Sequence, residues 1–133
     1  MKVVYSHQAQ QDLFDIHDYI QRELFAPGAA AHVAKEIMAA VKGLDTLPER
    51  YPCYGVEPWH SLGIRFIPVL NYLVFFIVNE PSDTVAILRI MYRGRNVEEQ
   101  LDGVDLNPFD PNLERDTDVK RIRPYLREEE ERR

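Results

Sequence analysis

Three apolar runs separated by two short polar breaks constrain the fold of this chain more than any other feature. The runs cover about Ile64–Ile67, Tyr72–Val78 and Thr84–Tyr92, and they are rich in the branched and aromatic residues that favour β-strands. The breaks, "VLNY" at Val69–Tyr72 and "NEPSD" at Asn79–Asp83, are long enough for a turn and too short for a helical crossover. The sequence therefore predicts three strands in an antiparallel meander.

Two amphipathic helices are predicted ahead of these strands. A short strand at Lys2–Tyr5 leads to Ser6, a favourable N-cap residue, and apolar residues then recur at helical spacing as far as Leu24. A second helix begins at Pro27 and ends near Leu47–Pro48. Because the link between them is short, the helices should lie antiparallel. We therefore expect an α+β fold with an N-terminal helical hairpin packed on a small, mainly antiparallel β-sheet.

The chain changes character after Gly103, which predicts one domain at residues 1–103 and a charged tail at 104–133. The tail begins with a stretch rich in proline, aspartate and asparagine, and Pro124 would interrupt a helix in its charged second half. This composition favours a flexible segment. The alternative is a tail that docks on the domain through its apolar residues, which are Phe109, Leu113, Ile122, Tyr125 and Leu126.

The charge balance limits the kind of partner that the chain can bind. The formal net charge is −6, and residues 1–103 carry nine Lys and Arg against thirteen Asp and Glu. A protein that holds nucleic acid by general electrostatics is basic, so any nucleic-acid site here must be a local cationic cleft on an acidic body.

The cysteine and histidine content predicts neither a metal site nor a cofactor. Cys53 is the single cysteine, which excludes an intrachain disulfide and a cysteine-based metal site, and the four histidines lack metal-ligand spacing. The apolar runs are too short to span a membrane, and the N-terminus lacks a signal-peptide core. We therefore expect a cytoplasmic, bacterial-type protein with no membrane partner.

Alternation along the last strand separates its arginines from most of its apolar residues. One side carries Ala86, Leu88, Ile90 and Tyr92, and the other carries Val85, Ile87, Arg89, Met91 and Arg93. The side without arginine is the better candidate for contact with the helices, which leaves Arg89 and Arg93 on the opposite face. Arg65 could join them, with Arg95 nearby, in an anion-binding surface, because guanidinium groups bind phosphate through parallel donors.

A structural interpretation of the same arginines stands beside this one. Arg89 could pair with a carboxylate such as Glu57 or Glu80, and Arg93 and Arg95 could be solvated turn residues. Spacing alone slightly favours this second interpretation.

Four segments, in their order along the chain, carry a resemblance to a known family. They are "DLFDIHDYI", "LDTLPERYP", "GIRFIPVLNYLVFFIV" and "VAILRIMYRGRN". From Met1 to Leu101 the chain resembles the RelE/ParE superfamily of type II toxin–antitoxin toxins. The resemblance implies a helical hairpin on a mainly antiparallel sheet. It also implies a protein that inhibits growth, is neutralised by a cognate antitoxin and forms a toxin–antitoxin hetero-oligomer.

The resemblance leaves two mechanisms open. RelE-like toxins cleave messenger RNA, usually in the ribosomal A site, whereas ParE-like toxins poison DNA gyrase and need no nuclease residues. For a metal-independent ribonuclease, the resemblance implies catalytic roles for Arg65, Arg93 and Tyr92, with Arg89 and Arg95 binding the anion. Tyr92 stands where several nuclease members have histidine. A further alternative is a degenerate, non-toxic binding module that retains only the antitoxin-binding surface.

Overall fold

The computed structural model describes residues 1–94 and 96–105, together with the backbone of residues 114 and 115. Arg95 and the apolar tail residues proposed to dock lie outside the described residues. The strands are β1 (Lys2–Tyr5), β2 (Arg65–Val69), β3 (Tyr72–Asn79), β4 (Thr84–Tyr92) and β5 (Glu114–Arg115). The α-helices are α1 (His7–Asp18), α2 (Pro27–Lys42) and α3 (Val97–Leu101). A search of the described residues for a helix with the length and apolarity needed to cross a membrane found none.

The strands form one mixed sheet in the order β2-β3-β4-β1-β5. β2, β3 and β4 make the predicted antiparallel meander, with Phe66 opposite Phe75 and Tyr72 opposite Tyr92. β1 runs parallel to β4, so that Tyr5 lies opposite Ile87. The predicted α+β fold, with a helical hairpin on a mainly antiparallel sheet, is confirmed.

The start of α1 is tied to the sheet by its capping residue. The Ser6 hydroxyl accepts a hydrogen bond from the Ala9 backbone N–H at 3.0 Å and donates one to the Leu88 carbonyl oxygen, also at 3.0 Å. One side chain therefore caps the helix and satisfies a β4 carbonyl at the point where β1 has ended. The predicted helix to Leu24 is α-helical only to Asp18, after which Tyr19–Glu23 forms one π-helical turn.

Both faces of the sheet are covered by other parts of the chain, and a separate apolar core lies on each face. The helix-side core lies between the sheet and the α1–α2 hairpin; its fully buried members include Leu13, Ile37, Phe76 and Ile87. The loop-side core lies on the other face, beneath α3 and the loop from residue 52 to 63. It contains Trp59, Ile64, Leu73, Phe75, Leu88, Met91, Val97 and Leu101.

The predicted assignment of β4 side chains to the two faces is wrong ahead of a β-bulge and correct for Ile90 and Met91 beyond it. Val85 and Ile87 belong to the helix-side core, although alternation grouped them with the arginines facing away from the helices. The register between β3 and β4 shifts at Phe75 and Phe76, so the period of two changes phase at this point. Beyond the bulge Ile90 faces the helices and Met91 the loop-side core.

Candidate functional site

Arg89 joins three elements of the fold through a largely buried ion pair. Its Nε lies 2.7 Å from Asp12 Oδ2, and its Nη2 lies 3.0 Å from Asp12 Oδ1, so the pair is bidentate. Its Nη1 donates to the Gln100 carbonyl oxygen at 2.9 Å, which links β4 to α3 as well as to α1. The carboxylate partner is thus Asp12 rather than Glu57 or Glu80. These contacts occupy the guanidinium within the protein.

Asp12 has a second task in the same place. Its Oδ2 also accepts the Ile90 backbone N–H at 2.9 Å. β1 ends at Tyr5, opposite Ile87, so the β4 groups beyond that point have no neighbouring strand on this side. Asp12 therefore accepts the Ile90 N–H in place of a neighbouring strand, just as Ser6 donates to the Leu88 carbonyl oxygen in place of one. The Asp12 side chain is thereby committed to holding α1 against β4.

Arg65 is engaged by the segment that connects α2 to β2. Its Nη1 donates to the carbonyl oxygen of Tyr51 at 2.6 Å and to that of Glu49 at 3.2 Å. Both acceptors are backbone groups, so the guanidinium fastens this segment to the start of β2. These neutral carbonyl groups do not neutralise the charge of Arg65. The Nη1 group of Arg65 is nevertheless directed at the protein's own backbone.

The sheet does not bring Arg65 together with Tyr92 and Arg93. Arg65 is level with Phe76 on the neighbouring strand, whereas Tyr92 is level with Tyr72, four residues away along β3. Four residues of strand correspond to about 13 Å, and β2 and β4, two strands apart, are separated by about 10 Å across the sheet. Arg65 and Tyr92 therefore lie at different levels of the sheet, and the functional roles predicted for Arg65, Arg89 and Arg93 stay predictions.

Tyr92 and Arg93 do lie together, at the end of β4, beside two further tyrosines. The rings of Tyr72 and Tyr92 meet edge to face with centroids 5.6 Å apart. Burial raises the pKa of Tyr72, and the neighbouring Tyr92 and Tyr19 raise it further, which places Tyr19 in the same group. We call Tyr19, Tyr72, Tyr92 and Arg93 the tyrosine–arginine edge.

The tyrosine–arginine edge is open to a partner and held in place by backbone contacts. Tyr19 is 53% exposed and Tyr92 is 48% exposed, while the Arg93 side chain is also exposed. The Arg93 N–H donates to the Asn71 carbonyl oxygen at 2.8 Å, and Gly94 then turns the chain with a φ of +88°. Exposed tyrosine and arginine side chains of this kind can supply a large contact area and directed polar groups for binding.

Tyr54 and Glu98 tie the loop over the second face to α3. The Tyr54 hydroxyl donates to Glu98 Oε1 at 2.7 Å. Burial of the ring, the hydrogen bond to Glu98 and the Glu98 charge raise the pKa of Tyr54 to about 12. The same hydrogen bond lowers the pKa of the Glu98 carboxyl.

Stability should fall at high pH as Tyr54 loses its proton. The pKa of Tyr54 in the folded protein lies above its ordinary value of 10.0, so its contribution to stability is complete below pH 10 and is lost as the pH rises towards 12. We expect Tyr54→Phe to remove one tyrosine transition near pH 12 in a spectrophotometric titration. Tyr19→Phe, an exposed matched control, should retain that transition; an unchanged amplitude near pH 12 in Tyr54→Phe would contradict the assignment.

Within the described ranges, 1–94 and 96–105, no group of three or more His, Cys, Asp or Glu side chains is arranged to hold a metal ion. Among these described residues, the tyrosine–arginine edge offers tyrosine rings and hydroxyls and the exposed guanidinium of Arg93.

Comparison with known proteins agrees with the fold and assigns the family. A family model described as the ParE toxin of type II toxin–antitoxin system, parDE, matches residues 3–97. A solved structure titled "Chromosomal ParDE TA system from P. aeruginosa" is similar, with a TM-score of 0.57 and 24% sequence identity. The similarity covers 69% of this chain and 95% of that one, and at this identity it supports the fold alone. No curated protein matches. Because the family model spans most of the chain, this protein belongs to the ParE toxin family of type II toxin–antitoxin systems.

Proposed function

We propose that this toxin arrests growth by binding DNA gyrase, as ParE-like toxins do, and that a cognate antitoxin neutralises it in the bacterial cytoplasm. The observation that carries the proposal is the separation of the arginines. Arg65 and Arg89 are directed at groups of the protein itself, and Arg65 lies at a different level of the sheet from Tyr92.

Cleavage of messenger RNA would need a different arrangement. Attack by a ribose 2′-hydroxyl requires a proton acceptor near the nucleophile and cations around the phosphate, all within hydrogen-bond reach of one another. Arg93 is exposed at the end of β4, but Arg65 and Arg89 are directed at groups of the protein itself. The acidic net charge of −6 also gives little general attraction for the ribosome.

Binding to a protein target fits the tyrosine–arginine edge better. Tyrosine and arginine are over-represented among the residues that dominate protein–protein binding energies, because both offer large contact areas and directed polar groups. Here Tyr19 and Tyr92 have exposed rings near Tyr72, and Arg93, also exposed, follows Tyr92 directly in the chain. We place the gyrase contact on this edge, where no nuclease chemistry is required.

The proposal is tested by separating growth arrest from each mechanism in variants of the full chain. We expect Tyr92→Ala and Arg93→Ala each to weaken growth inhibition about tenfold or more, the loss of roughly 1.4 kcal/mol at one binding hot spot. Leu62→Ala, an exposed change in the loop over the opposite face, serves as the control and should retain full inhibition. Growth after induction, with cellular toxin measured in parallel, gives the comparison.

Two further assays decide the target. Purified toxin should inhibit supercoiling by gyrase, and induced cells should keep intact transcripts while accumulating damaged DNA. Transcript cleavage that is abolished in Arg65→Ala, in chains shown to be folded, would overturn the proposal in favour of a ribonuclease. Harmless expression of the wild-type chain without antitoxin would instead indicate a binding module that has lost toxicity.

A further inference from the structure

Strands β2, β3, β4 and β1 leave two edges, one at β2 and one at β1, and each is covered by another part of the same chain. Along β2, the Phe66 N–H donates to the Pro52 carbonyl oxygen at 3.2 Å, and the Tyr54 N–H donates to the Ile64 carbonyl oxygen at 2.8 Å. The incoming loop therefore covers that edge. The outer side of β1 is covered by β5, which pairs with it in antiparallel orientation.

β5 comes from a part of the chain that the family domain does not include. The ParE family model ends at residue 97, whereas β5 is formed by residues 114 and 115. We propose that the C-terminal extension is a resident edge strand that blocks strand addition by another polypeptide at β1.

The hydrogen-bond polarity of β1 identifies the atoms involved. The Lys2 N–H donates to the Asp83 carbonyl oxygen and the Ser6 N–H to that of Ile87, both at 2.9 Å, so these residues point to β4. Alternation directs Val4 to β4 as well, and directs Tyr5 to the outer side. Tyr5 is opposite Glu114, and Val4 is opposite Arg115. Tyr5 and Glu114 therefore form the hydrogen-bonded pair, while the backbone groups of Arg115 point away from β1.

An uncovered outer strand exposes a row of N–H and carbonyl groups that can pair with any extended chain. Strand addition of this kind supplies main-chain hydrogen bonds irrespective of much of the partner's sequence. A tethered strand competes at a high effective concentration, so a partner must first displace it. The extension thus raises the concentration at which a foreign strand occupies the β1 edge. This inference concerns an edge of the fold and does not depend on the toxin's target.

Two neighbouring proline substitutions in the full-length chain test the pairing. Glu114→Pro removes the N–H that faces β1, whereas Arg115→Pro removes one that faces away and keeps residue 114 extended. We expect Glu114→Pro to accelerate hydrogen exchange of the Tyr5 amide about tenfold or more, as local opening of an edge pair allows. Arg115→Pro should leave the Tyr5 amide as protected as in the wild type. The Val4 and Ser6 amides, which face β4, should be unchanged in both variants.

Addition of a strand in trans then tests the block. A synthetic peptide with the sequence of residues 104–120 should bind the Glu114→Pro chain and restore protection of the Tyr5 amide. It should bind the wild-type chain at least about tenfold more weakly, because the tethered strand competes. An unprotected Tyr5 amide in the wild type, or equal exchange in both variants, would overturn the resident strand. Equal peptide binding to wild type and Glu114→Pro would overturn the block.

Discussion

Replacing Asp12 with alanine is expected to lower the free energy of unfolding by about 3–5 kcal/mol, because it leaves the largely buried guanidinium of Arg89 without its carboxylate partner. Asp12 is 7% exposed and accepts two hydrogen bonds from Arg89 and one from the Ile90 N–H. The substitution leaves the Arg89 guanidinium with the Gln100 carbonyl oxygen and leaves the backbone N–H of Ile90 without this acceptor. Urea unfolding followed by far-UV circular dichroism measures the loss.

The control is another aspartate of the same helix. Asp15 lies three residues after Asp12 in α1 and is exposed, so Asp15→Ala should change the unfolding free energy by only about 0.5 kcal/mol or less. The double variant Asp12→Ala with Arg89→Met removes both charges and should recover much of the loss, since no unpaired cation remains. A double variant as unstable as the sum of the two single variants would show that the ion pair contributes no coupling.

The architecture was predictable because its periodicities are local. The apolar runs of the meander and the helical spacing after Ser6 indicate which residues face a core. This pattern can be recognised within one segment, without knowing which element packs against it. The short strand at Lys2–Tyr5 was also predicted, ahead of the capping residue Ser6. The resemblance to the toxin superfamily added the function class and no atomic detail.

The facing of β4 was not predictable because one extra residue reverses the alternation. The register shift at Phe75 and Phe76 depends on the pairing of two strands, whereas a single strand read alone shows an unbroken period of two. The bulge lies ahead of Arg89, so alternation misplaced Val85, Ile87 and Leu88, whereas Ile90 and Met91 face as predicted. The roles predicted for the arginines of this strand stay predictions.

Long-range contacts account for the other differences at the site. Asp12 and Arg89 are 77 residues apart, so no local spacing in the sequence indicates that they form a pair. The tyrosine–arginine edge likewise combines Tyr19 from the end of the helical hairpin with residues of two strands. Neither Tyr19 nor Tyr72 belongs to a sequence motif that would mark it as a site residue.

The loop from residue 52 to 63 shows how a segment without periodicity can still cover a core. Trp59 and Tyr54 reach the second face of the sheet, where the Tyr54 ring meets Phe75 at 5.3 Å and Phe66 at 5.9 Å between centroids. Aromatic side chains bury large areas from few positions, so no repeating pattern is needed. The two faces of β3 therefore support two independently packed layers, and this arrangement makes a specific prediction.

Phe75→Ala should cost about 3–5 kcal/mol of unfolding free energy, and Phe76→Ala should cost a similar amount, because both rings are fully buried. The two variants should differ in the layer that they disturb. Trp59 is the only tryptophan and belongs to the loop-side core with Phe75, whereas Phe76 belongs to the helix-side core. Tryptophan emission of the folded protein should therefore shift to longer wavelength in Phe75→Ala and stay unchanged in Phe76→Ala.

Phe75→Leu and Phe76→Leu, which leave smaller cavities, repeat the comparison if an alanine variant is unfolded. Equal emission shifts for substitutions on the two faces would mean that the layers respond as one core; a shift confined to Phe75 would establish that the loop and α3 can be loosened while the helical hairpin stays packed.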